Sequence, residues 1–463
     1  MDEDFVFNGV DGLTGEPLLA PMSADEVAQL VAPERLREQD AGLEVPRSFG
    51  LGFGLDPANI VDAGWTIVFA SDEAQAVRDA LQPLIDHRAG SGAVVRVLTA
   101  EPGEGFGPFM ARHGVYPGEI EPEVMGYYLL IVGSPAKIPW EFQYHADIEY
   151  AVGRLAFDNA EAYARYASSV IATETASEPP TSKRISFWGP RHDRATELSH
   201  DDLLEPLING EQDNGEGRPK PGIAAQLKWE ASTFLHEDAT KANFLGALNQ
   251  RPSLLLTASH GIGNFKPGSA EQLSRQGALL AADWGGPGSI GPADYVAAED
   301  IPNDLELAGM IAFHFACYGA GTPLRDCFRH RDGQAPKRLA KTEFVAALPQ
   351  RLLSHPNGSA LAVIGHVDRA WGSSFLDRSG RHIGPFRNTL GNLMSGKPVG
   401  FAVAGFNERY AVLSNSVASL LEKRGLGEEV DAKLLSRAWL GRNDAQNYVV
   451  LGDPAVKLQF GRG

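Results

Sequence analysis

The feature that most narrows the fold is a series of short, unbroken apolar runs rich in β-branched and aromatic residues, separated by stretches of helical spacing. Trp65-Thr66-Ile67-Val68-Phe69, Val94 to Leu98 and Tyr127 to Val132 form one such series. Ile185-Ser186-Phe187-Trp188, Leu254 to Ala258, Met310 to Ala316 and Leu361 to Ile364 form a second. A strand with one wet face alternates polar and apolar residues. These runs do not, so they read as parallel strands covered on both faces. Between them, Ala74, Val77, Ala80, Leu81 and Leu84 recur at helical spacing behind Asp72, which is expected to cap that helix. Asn159 to Thr173, and a stretch from Asp238 or Thr240 to Leu248, predict two more helices. The chain is therefore α/β.

A length of 463 residues exceeds one ordinary compact unit, so two are expected. The polar, proline-bearing segment Ser177-Glu178-Pro179-Pro180-Thr181-Ser182 is the best boundary between them. The resulting division is an amino-terminal arm over 1–58, an α/β unit over 59–176 and a second over 183–463, each with its own mostly parallel sheet. The glycines of Ser48-Phe49-Gly50-Leu51-Gly52-Phe53-Gly54 follow no buried strand and open no helix, which argues against a dinucleotide fingerprint. The arm has no sustained periodicity and reads as flexible or peripheral.

Hydrophobic residues at 43% and charged residues at 22% exclude global disorder. The net charge of −18 lacks the cationic footprint that nucleic acids and anionic membranes require, so neither is expected as a partner. It suits basic peptides, or serves only to keep the chain in solution. Met1-Asp2-Glu3-Asp4 is acidic where a secretory signal would be basic, and no apolar run reaches membrane-spanning length. Two cysteines, Cys317 and Cys327, cannot staple such a chain. They point to a reducing, cytoplasmic setting.

Two strand ends carry the chemistry. One apolar run leads into Ser259-His260-Gly261 and another into Cys317-Tyr318-Gly319-Ala320-Gly321. In open α/β sheets ligands gather at the carboxyl ends of strands, so a histidine and a cysteine leaving parallel strands can share one cleft. A thiol is mostly protonated at neutral pH, and an imidazole beside it can take its proton and later protonate a leaving amine. The side-chain-free Gly261 lets its amide approach a substrate carbonyl, with the Cys317 amide as second oxyanion donor. Gly319 and Gly321 suggest a strand-to-helix turn whose dipole would favour a thiolate. His314 falls on the opposite strand face and is read as core. No His-Glu-x-x-His, Cys-x-x-Cys, EF-hand, P-loop or Gly-x-Ser-x-Gly pattern occurs, so neither a metal nor a cofactor is expected.

Leu254 to Gly261, Gln276 to Leu280, Val296 to Ile301, Phe315 to Gly319 and the closing Val450 to Leu458 resemble the CHAT branch of the caspase-like peptidases, which includes separase-type domains. Leu130 to Gly133, Ile138-Pro139 and Ala151 to Leu155 are similar to gingipains, in which a non-catalytic caspase-like subdomain precedes the catalytic one. The resemblance implies two caspase-like, Rossmann-like three-layer subdomains and a His260–Cys317 dyad, with Gly261 in the oxyanion hole. It implies limited, site-specific cleavage of a protein partner, in bacterial defence or cell death. Asp368, in Val367-Asp368-Arg369-Ala370-Trp371, matches a post-strand aspartate of separase-like proteins. There it would floor a first pocket selecting Arg or Lys, with Trp371 as an apolar wall; the plainer reading pairs Asp368 with Arg369. The basic segment Leu324 to Lys341 is expected to be an exposed loop, cut by the enzyme itself or covering the cleft until an activating partner displaces it. The rival reading is a caspase-like scaffold that binds a protein and cleaves nothing.

Overall fold

The computed structural model describes residues 4–23, 25–27, 51–52, 54–211, 219–326, 328, 336–377 and 380–460. Ten strands make up its main sheet. In chain order they are β1 (Trp65–Ala70), β2 (Val95–Ala100), β3 (Tyr128–Val132), β4 (Ala151–Leu155), β5 (Ser182–Gly189), β6 (Glu230–Leu235), β7 (Pro252–Ala258), β8 (Ile311–Phe315), β9 (Ala362–His366) and β10 (Tyr448–Gly452). Their order across the sheet is β6-β5-β7-β8-β9-β10-β4-β3-β1-β2.

Every neighbouring pair is parallel except β9 and β10. The strands expected to form two sheets therefore join in one. β10 is the seam, antiparallel to β9 on one side and parallel to β4 on the other. Just beyond it, the buried Asp453 accepts from Trp65 Nε1 at 3.0 Å and Arg88 Nε at 2.9 Å, so the join carries polar ties as well as packing.

Strands β1, β3, β4, β7, β8, β9 and β10 are buried along their whole length, which is why their sequences are mostly apolar, with Arg154, His314 and His366 among the buried polar exceptions. Helix Gln75–Gly90 buries Val77, Leu81, Leu84 and Ile85. Its cap position is Ala74, not Asp72. Asp72 instead lies 3.4 Å from Lys137 Nζ. Helices Ala160–Thr175 and Lys241–Asn249 start where the sequence predicts, capped by the side chains of Asn159 and Thr240. Helices Ala404–Gly425 and Ala432–Gln446 pack on each other beside the carboxyl ends of β8 and β9.

Candidate active site

Strands β5, β7, β8 and β9 lie side by side and run in one direction, so the loops leaving their carboxyl ends open onto one region. Asp193, His260, Cys317 and Asp368 follow these four strands in turn. Ala258 is in register with Phe315, so His260 and Cys317, two residues further on, leave the sheet at the same level. Both are buried. A Cβ on Gly261 would collide with the Cys317 carbonyl oxygen, so glycine is required for the two loops to touch here.

The backbone after the cysteine is forced. Tyr318 has φ 59°, a left-handed conformation that costs a bulky residue about 1–3 kcal/mol. Its amide donates to the Asp368 carbonyl at 2.9 Å, which helps hold the turn. This turn leads into the two-residue strand Gly321–Thr322, not into a helix. The helix dipole expected to favour a thiolate is therefore absent. Burial instead pushes the Cys317 thiol up to about 12, and Sγ sits 4.0 Å from the Ala370 carbonyl.

His260 is held from both sides. Nε2 lies 2.8 Å from Asp193 Oδ2, and the amide of Gly9 donates to Nδ1 at 2.6 Å. An amide can only donate, so Nδ1 is the unprotonated nitrogen and Nε2 carries the proton toward Asp193. Asp193 is itself fixed as the cap of helix Arg194–Leu198, where Oδ1 accepts from the amides of Ala195 and Thr196, both at 3.1 Å. Burial alone would raise the Asp193 carboxyl. The hydrogen bond and charge of His260, with the Thr196 contacts, outweigh it and hold the carboxyl well below the usual range.

Sequence reasoning missed Asp193. Its only signal is the Asp193-x-x-Thr196 capping pattern just after the Ile185 to Trp188 strand.

The part of the arm over residues 4–23 is not peripheral. It forms a hairpin across His260 and Cys317. Phe7–Asn8 pairs antiparallel with Ala370–Trp371, and Val10–Asp11 pairs parallel with Ile262–Gly263. The chain turns at Asp11, whose Oδ1 accepts from Leu13 at 2.7 Å, and returns so that Leu18 donates to the Gly9 carbonyl at 3.0 Å. Gly9 fills the space between the candidate catalytic side chains. A Cβ placed on it would lie 3.0 Å from Cys317 Sγ.

No protein-family model matches this chain, and no curated protein does. Among solved structures, the chain is similar to one described as a protease, with 13% identity and a TM-score of 0.48 over 86% of this chain and 78% of that one. It is also similar to the Arg-specific cysteine proteinase gingipain R, with 13% identity and a TM-score of 0.44 over 86% and 78% of the two chains. A third likeness is to separase in the Saccharomyces cerevisiae separase–securin complex, with 12% identity and a TM-score of 0.32 over 71% of this chain and 15% of that one.

The remaining sequence candidates lie close by but are engaged elsewhere. Asp368 is buried, and Oδ1 accepts from the Arg369 amide at 2.8 Å and faces Arg369 Nη1 at 3.4 Å. Burial raises the Asp368 carboxyl, against the opposing charge of Arg369. The same guanidinium forms a two-pronged pair with Asp326, at 2.9 and 2.7 Å. The acidic floor expected to select Arg or Lys is thus already bound to a cation of the protein. Trp371 is buried in the apolar cluster that contains Cys317, its ring tilted at 50° to that of Phe328 with centroids 5.1 Å apart, and its strand holds the hairpin. His314 is core, its Nδ1 2.8 Å from Thr257 Oγ1, and burial lowers it to about 4. Cys327 lies outside the described residues, as do residues 329–335 of the basic segment. The ends of that segment meet in a bridge between Arg325 and Arg338. Among the described residues there is no cluster of three metal-ligating side chains and no helix long and apolar enough to cross a membrane.

Proposed function

We propose that this chain is a cysteine endopeptidase in which Cys317 is the nucleophile, His260 the proton carrier and Asp193 the group that orients His260. One observation carries the reading. Nδ1 of His260, left unprotonated because Asp193 holds the Nε2 proton, accepts from a peptide N–H beside the Cys317 thiol. That is where a general acid must stand to protonate a leaving amine. The thiol proton passes to Nδ1 as Sγ adds to the scissile carbonyl. The amides of Gly261 and Cys317 are the oxyanion donors, and His260 then delivers the proton to the departing nitrogen. Water resolves the thioester.

The reading keeps limited cleavage of a protein or peptide but not selection of Arg or Lys by Asp368, whose carboxylate is bound to Arg369. A second reading, a protein-binding scaffold that cleaves nothing, is favoured by the buried, raised thiol under the hairpin. Profiling purified protein against a peptide library, with Cys317→Ala in parallel, separates the two. The enzyme reading expects cleavages in the wild type that fall by at least about 1000-fold in Cys317→Ala. Equal cleavage by both proteins, or none by either, overturns it.

A further inference from the structure

The hairpin over the dyad is held in the manner of a bound peptide, and its sequence indicates what the groove accepts. We propose that residues 4–23 are the site's own first substrate and that the chain hydrolyses its Asn8–Gly9 bond. This rests on the dyad reading above.

The backbone is clamped on both sides of that bond, by Ala370–Trp371 before it and Ile262–Gly263 after it. Strand addition of this kind is a standard way for a groove to hold an extended peptide. The nitrogen of the bond, Gly9 N, is the atom 2.6 Å from His260 Nδ1. Gly9 has φ +149° and lies close enough to Cys317 that a side chain would strike Sγ, so glycine after the bond is a steric requirement.

The residue before the bond is selected by chemistry. Asn8 is buried, and its Nδ2 donates to Ser199 Oγ at 3.0 Å. The Ser199 hydroxyl gives its own proton to the Ala195 carbonyl at 3.0 Å, so it presents only a lone pair to the pocket. A carboxamide meets that lone pair with a donor. An aspartate of the same shape meets it with an acceptor, and the buried clash has no water to relieve it. Upstream, Phe5 and Val6 border a cavity of about 1070 Å³ also lined by Leu198, Gly372, Ser373 and Arg409.

The step balances as a hydrolysis. Sγ bonds to the Asn8 carbonyl carbon while the thiol proton moves to Nδ1. The C–N bond breaks as Nδ1 protonates Gly9 N. One water then cleaves the thioester, returning the thiol and leaving a carboxylic acid on Asn8.

The test is to incubate the full chain beside Cys317→Ala and Cys317→Ser, following intact mass and sequencing any new amino terminus. The expected result is a chain beginning at Gly9 in the wild type and none in either variant. Spontaneous Asn-Gly chemistry would affect all three alike. Asn8→Asp should slow the cut by roughly 100-fold, because a site built for a donor rejects its isosteric acceptor. Ser199→Ala should shrink that Asn-over-Asp preference, which a purely structural serine would not do. A wild-type chain that stays intact while cutting added peptides in a Cys317-dependent way overturns this proposal and leaves the dyad standing. Cutting at another hairpin bond also overturns it. A chain that cuts neither itself nor any peptide removes both proposals.

Discussion

The carboxylate of Asp193 lies 2.8 Å from Nε2 of His260, across 67 residues of sequence, because β5 and β7 are neighbours in the sheet. The contact assigns the imidazole proton to the far side of the ring from Cys317. Replacing Asp193 by Asn turns an acceptor into a group that can offer either end, and the ring can then adopt the wrong tautomer. Asp193→Asn is expected to lower kcat/KM on a peptide substrate by about 100- to 10,000-fold with little change in fold. A variant within threefold of wild type would remove Asp193 from the machinery.

The same contact has a signature in stability. The folded Asp193 carboxyl is held below its ordinary value of 3.8, so it favours the folded state fully above that value and loses the contribution as pH falls below it. The stability difference between wild type and Asp193→Ala, from denaturant titrations, should be constant from pH 5 to 7 and shrink below about pH 4. A difference that grows on acidification would contradict the hydrogen-bonded carboxylate.

With the hairpin seated, Cys317 should be a poor nucleophile. A thiol at about 12 is ionised roughly 1000-fold less at pH 8 than an ordinary one, and this one is also shielded. Alkylation of Cys317 by iodoacetamide, followed by peptide mapping to separate it from Cys327, should be slower than a free thiol by at least that factor. Gly9→Val places a side chain against Sγ and should speed labelling by dislodging the hairpin. The raised thiol is a stabilising term that is complete below its ordinary value of 9.0 and declines as pH climbs toward 12.

Arg369 is buried between Asp326 and Asp368. Arg369→Met leaves two carboxylates facing each other without a cation, and is expected to cost about 3–5 kcal/mol of unfolding free energy. An Arg369→Met, Asp326→Leu double variant should recover part of it. A loss below about 1 kcal/mol in the single variant would mean that the triad contributes little.

Gly261→Ala tests the contact between the two loops. Its methyl group would overlap the Cys317 carbonyl, so the loops must separate, costing about 1–3 kcal/mol. Peptide cleavage should fall much further than stability does if the Gly261 and Cys317 amides are the oxyanion donors proposed above, because both move. Parallel thermal melts and kinetics measure the two effects.

Much of the sheet was legible because full burial writes itself into composition. β1, β3, β7, β8 and β9 are predominantly apolar runs, and His260 and Cys317 stood out because each follows one. Strand order was not legible, since the same pattern fits one sheet or two. Only the antiparallel pairing of β10 with β9, and its single pairing with β4, make it one. Asp193 was hidden because a helix-capping aspartate is ordinary until the strand beside it is known. The hairpin was hidden for a different reason. Its strands are two residues long, too short for any period, and their partners lie more than 250 residues away.

Strand β10 is the last of the ten to be synthesised, yet it occupies the middle of the sheet. While the ribosome is still short of residue 448, β4 and β9 are both open edges, lined with unpaired amides and carbonyls and flanked by apolar faces. Such edges invite pairing with other chains. The nascent polypeptide therefore passes through an interval in which nine strands are made and the two half-sheets have nothing to join them. Contacts this distant in sequence form slowly, so a chaperone that shields those edges should affect yield more than any surface substitution does.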